Sequence, residues 1–147
     1  SQKAKAYVDQ TKAELSDMET DKFMKDAKVI LEALATFSVD IARIFTPKTE
    51  EEMWKKYYAG DKNAFTRAVI PALEKEKKTQ IKKMFEENPE VRSAITRYMA
   101  SFEELIEKAQ NSDQKDILLP VLMGSDAGRL SMILTGCLAP RKKGEKA

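Results

Sequence analysis

At 147 residues, with 42% hydrophobic and 34% charged side chains, the chain has the size and balance of one globular domain able to bury a core. Its 26 Lys and Arg stand against 24 Asp and Glu, and the resulting net charge of +2 is too even to point to nucleic acid or anionic lipid as the principal partner. Histidine is absent, which removes the commonest general base and metal ligand, and the single Cys137 excludes an internal disulfide and a thiolate metal cage.

Residues 3–19 predict a weak helix whose only large apolar residues are Tyr7, Val8, Leu15 and Met18, so 1–20 reads as a loosely packed N-terminal arm. Thr20 or Asp21 is expected to cap a second helix reaching Phe45, with Phe23, Ala27, Ile30, Leu34, Phe37 and Ile41 as its stripe, widened by Met24, Leu31 and Ala35. Thr46-Pro47 breaks the chain, and Thr49 with Glu52 forms a capping-box pattern opening a short helix that Gly60 stops. Asp61 is the expected cap of the next helix, which Pro71 should kink or restart before an exposed stretch to Glu87. Asn88-Pro89 then starts the most regular helix, with Val91, Ile95, Tyr98, Phe102 and Leu105 on one side.

The densest apolar run is Lys115 to Pro140, cut by Gly124-Ser125-Asp126. Its second part carries Leu130, Ile133, Leu134, Cys137 and Leu138 on one side and Gly128, Ser131, Thr135 and Ala139 on another, a pattern expected of a helix sandwiched between others. The expected architecture is therefore all-α: a single-domain bundle over 1–140 of about six or seven helices, with 126–139 as the central buried helix, and a basic disordered tail at 141–147.

Each candidate site competes with a plainer role. Asp113 and Asp116 have a spacing that could offer two oxygens to Mg²⁺, but a helix cap followed by a first-turn acid explains them better. Gly124 to Gly128 invites an anion-cradle reading that Asp126 opposes by charge. Lys75, Lys78 and Lys82 form a weak basic patch, with Glu74, Glu76, Glu86 and Glu87 interleaved or flanking, as on a solvated face. Met53, Trp54, Tyr57 and Tyr58 are the candidate interface, because Trp and Tyr flanked by Lys55 and Lys56 suit a surface that is apolar at one end and wet at the other. Their competing role is core filler.

No catalytic, cofactor or metal set emerges, and the expected function is a non-enzymatic interaction or scaffold module holding another protein or its own copy. The alternative is a ligand-sensing domain with a small apolar molecule among Met and aromatic side chains. Nucleic acid is not an expected partner, peripheral contact with a membrane stays open, and no run reaches the roughly 18–20 apolar residues of a membrane span. The first twenty residues lack the apolar core of a signal peptide, so the expected location is cytoplasmic.

Overall fold

The computed structural model describes residues 1–140, apart from the side chains of residues 13 and 15–20; the expected basic tail at 141–147 lies outside the described residues. All regular structure among the described residues is helical. The order is α1 (Gln2–Phe45), a 3₁₀ turn (Pro47–Thr49), α2 (Glu50–Tyr58), α3 (Ala64–Lys75), α4 (Lys78–Glu87), α5 (Pro89–Gln110), α6 (Lys115–Met123) and α7 (Asp126–Leu138).

The expected break at Thr20-Asp21 is absent, and α1 runs for 44 residues, about 66 Å at 1.5 Å per residue. No Gly or Pro interrupts it, and extending an existing helix is far easier than ending one and nucleating another. It stops at Thr46 because Pro47 disfavours helical geometry in the residue before it. Phe23, Ala27, Ile30, Leu34, Ser38 and Ile41 are buried at helical spacing, whereas side chains 1–12 and 14 are almost all exposed. Residues 2–20, read from sequence as a separate arm, are continuous with the rest of this helix.

Two helices hold a proline inside them. Pro71 sits within α3 with its ring exposed while Val69 and Leu73 on either side are buried, and the break falls instead at Glu76-Lys77. Pro120 lies within α6 without dividing it. The 3₁₀ turn brings the helix count among the described residues to eight, where the sequence suggested six or seven.

The helix at the centre is α5, and 126–139 is not. α5 packs against α1, α4, α6 and α7, and its Val91, Ile95, Tyr98 and Leu105 are fully inaccessible. α7 rests on α3, α4, α5 and α6 through Leu130, Ser131, Leu134 and Cys137, but Met132, Thr135 and Gly136 face outward. Its small-residue side makes one tight contact: a Cβ on Gly128 would lie 2.2 Å from the Leu122 carbonyl oxygen and 2.7 Å from that of Met123. Ser125 fixes this corner, donating its hydroxyl to the Leu122 carbonyl (2.6 Å) and accepting the Gly128 N–H (3.1 Å).

Buried polar groups tie the helices together in register. Thr66 of α3 donates to the Ser38 hydroxyl at 3.0 Å, and Ser38 donates to the Ala35 carbonyl at 2.8 Å. Tyr98 of α5 donates its hydroxyl to the Ala127 carbonyl of α7 at 3.1 Å. Burial raises the Tyr98 phenol well above its ordinary range, with the Asp126 carboxylate adding to the shift.

Gly128→Ala should destabilise the fold by about 1–3 kcal/mol in denaturant unfolding, since the methyl meets backbone oxygens that cannot rotate away. Leu134→Ala should lose about 2–5 kcal/mol, and the half-buried Ile133→Ala less. For Tyr98 the raised folded pKa means that the native state holds its proton after the unfolded state has released it. Stability linked to Tyr98 is therefore complete below about pH 10 and declines as pH rises above it. Tyr98→Phe should lose about 1 kcal/mol at neutral pH and flatten the decline measured between neutral and strongly alkaline pH.

Candidate interaction surface

Three glutamates, Glu50 to Glu52, occupy the first turn of α2, where the helix dipole favours negative charge. The capping box expected at Thr49 does not form: its hydroxyl donates back to the Thr46 carbonyl at 3.2 Å. At the other end Gly60, with φ of +110°, reverses the chain in a conformation that favours glycine. Asp61 does not cap α3; Asn63 holds the capping position, while Asp61 accepts the Asn63 N–H at 3.3 Å and pairs with Arg67.

This short, tightly ended helix sets three aromatic rings in one cluster with Phe65 of α3. Trp54, half-buried, packs edge-on against buried Phe65 with ring centroids 4.8 Å apart, and its indole N–H donates to Glu50 at 3.3 Å. Glu50 in turn meets Arg43 of α1 at 2.7 Å. Tyr57 stands edge-on to Trp54 at 5.5 Å, and the Lys62 ammonium lies 4.0 Å above its ring. Tyr58 stacks on Trp54 at 5.6 Å and is 77% exposed. The four residues singled out by sequence thus occupy different depths. Met53 is buried in the core, Trp54 and Tyr57 form a half-buried base, and Tyr58 is presented to solvent.

A cleft of about 950 Å³ runs beside this cluster, lined by Met24, Ala27, Leu31 and Ala35 of α1 and by Tyr57 and Lys62. Sequence reasoning assigned Met24 and Leu31 to the packed stripe of α1, but they are 58% and 43% exposed. The signal was present in Lys25 and Lys28, which a packed face at that position would have had to bury.

The basic patch is not one row. The break at Glu76-Lys77 leaves Lys75 at the end of α3 and puts Lys78 and Lys82 on α4. Lys78 turns toward α7, its ammonium 4.0 Å from where a Gly136 Cβ would lie. Burial pushes the nearby Cys137 thiol up, partly offset by the Lys78 charge. Asp113 does not cap α6, since Gln114 holds that position, and Asp116 lies in the first turn. Among the described residues no group of three or more acidic or thiol side chains is placed to share a metal ion.

No single helix among the described residues is long and apolar enough to cross a membrane. α6 and α7 reach that composition only as a pair bent by 66°, and Leu122, Leu130 and Leu134 within the pair are buried in the core.

Comparison with known proteins gives one result. The family model described as the magnetosome MamY protein C-terminal domain matches residues 46–136, from the end of α1 to the last turn of α7. No curated protein matches, and no solved structure does. The match overturns the expected cytoplasmic location, because a family of magnetosome proteins points to association with the magnetosome membrane. That expectation rested on the absence of an apolar segment, and a domain without one can still work at a membrane surface. The match covers more than half of the chain, which therefore belongs to the magnetosome MamY C-terminal domain family.

Proposed function

We propose that this domain is a non-enzymatic scaffold that holds another protein at the magnetosome membrane through the aromatic end of α2. The observation that carries the reading is Tyr58, 77% exposed yet stacked on a tryptophan that is itself seated on Phe65. An exposed aromatic fixed in place by its neighbours loses little side-chain entropy on binding, and Trp and Tyr are the residues most often found to dominate interfaces. Lys62 lies over Tyr57, and Lys55 and Lys56 are exposed on the same short helix, which supplies a polar rim. The family is not a known enzyme family, which agrees with a scaffold role. The small-ligand alternative has less support, because the cleft beside Tyr57 is open and its lining includes Lys25, Lys28, Glu32 and Lys62.

The test uses the tagged full chain, with and without Tyr58→Ala, incubated with detergent-solubilised magnetosome membranes. The native chain should retain a polypeptide, and Tyr58→Ala should weaken that retention by about 30-fold, equivalent to roughly 2 kcal/mol, with an unchanged thermal midpoint. Trp54, the chain's only tryptophan, should shift its emission to the blue as the purified partner is added. Trp54→Ala should also weaken binding, but it should lose folding stability as well, since Trp54 contacts Phe65. Retention that ignores Tyr58→Ala, or no retained polypeptide, would remove this surface as the docking site.

A further inference from the structure

Among the described residues, the side chains of the first half of α1 are exposed and the cleft on its second half is open, and the one can fill the other between two molecules. We propose that the α1 cleft receives the N-terminal arm of a second copy, forming an antiparallel, twofold-symmetric pair of α1 helices. This goes beyond the scaffold reading, which rests on α2.

Geometry limits the occupant first. The chain's own arm cannot fold back into the cleft, because α1 is unbroken and carries the arm away along its axis. Reversing α1 about residue 21 lays residues 7–18 of one copy along residues 24–35 of the other, which is nearly the full length of the cleft. Positions 7, 14, 21, 28 and 35 are two turns apart and so lie along one side of the helix. That register brings Tyr7, 73% exposed, to Ala35 beside Tyr57 and Lys62, and Glu14 to Lys28.

Charge narrows the choice further. Lys25, Lys28 and Lys62 line the cleft, with Glu32 its one acid among the lining residues. In sequence, the segment from Glu14 to Glu19 has three acidic residues and no basic one, and the register sets Glu14 and Asp17 opposite Lys28 and Lys25; at the axis Asp21 meets its own copy, a like-charge contact that these pairs outweigh. The sequence around Arg141, Lys142 and Lys143 has the sign the cleft repels. Twofold symmetry makes every contact occur twice, so each favourable pair counts double. Met24 and Leu31 supply the apolar floor that both copies would cover.

The experiment is sedimentation equilibrium on the full chain across about a hundredfold range of concentration. The native chain should dimerise. Glu14→Lys and Lys28→Glu should each weaken the dimer by about tenfold, since the altered contact is repeated by symmetry. Glu14→Lys combined with Lys28→Glu should restore it, because the charges have changed places. Both positions are exposed, so circular dichroism and the thermal midpoint should stay constant across the set. A chain monomeric throughout, a dimer indifferent to both reversals, or a double variant no tighter than the single ones would each overturn the arrangement. None of these outcomes bears on Tyr58, so failure here is distinguishable from failure of the scaffold reading.

Discussion

The structure depends on the seam between α1 and α5. α5 presents a buried row from Val91 to Leu105, and α1 lays Phe23, Ala27, Ile30, Leu34 and Ile41 along the domain. Burial of that many large side chains is the principal stabilising term in a domain of this size. It also fixes direction, because α1 is one rigid helix. Once residues 23–45 are seated, residues 2–20 must project, and the cleft on the flank of α1 must open beside α2. The arm, the cleft and the aromatic cluster are thus consequences of a single packing event. The Ser38–Thr66 hydrogen bond adds a polar check on register, since sliding α1 by one turn would leave a buried hydroxyl unpaired.

How much of this was legible depends on whether the signal was local. Asn88-Pro89 is a local instruction, and Asn88 accepts the N–H groups of Glu90 and Val91 at 2.9 and 3.3 Å as a cap should. The stripe of α5 is equally local, and its burial follows the spacing. The continuity of α1 was missed because a good cap residue was read as a stop; Thr20 and Asp21 have no Gly or Pro to enforce one. Pro71 misled for the converse reason, since a proline facing outward loses one backbone hydrogen bond without meeting a packed neighbour. The choice of 126–139 as the central helix followed hydrophobicity alone. α7 is apolar because it closes one side of the core, whereas α5 is central because its neighbours lie all around it, and that is set by chain topology.

The candidate surface shows the same division. Periodicity places Trp54, Tyr57 and Tyr58 on one side of a short helix, and they do form one cluster. It cannot reveal that Phe65, from the next helix, supports Trp54 and leaves Tyr58 outside. Depth within a cluster is a tertiary property. Nor can sequence alone show that Met24 and Leu31 end at the edge of the core, because the boundary is drawn by where α3 and α5 stop covering α1.

The family match begins at residue 46, where α1 ends, yet the matched portion does not close its own core. α3 and α5 both direct buried side chains at α1, among them Thr66 toward Ser38. Without the second half of α1 that surface would face water, a large apolar exposure rimmed by polar groups. The second half of α1 is therefore part of the folding unit even though it lies outside the match. Of its first half, the described side chains at 2–12, 14, 21 and 22 are exposed except for a half-buried Thr11. The helix thus changes character at about residue 22: from Phe23 onward it carries core residues, while the described side chains before it are exposed. The lysines at 25 and 28 continue the exposed side past that boundary.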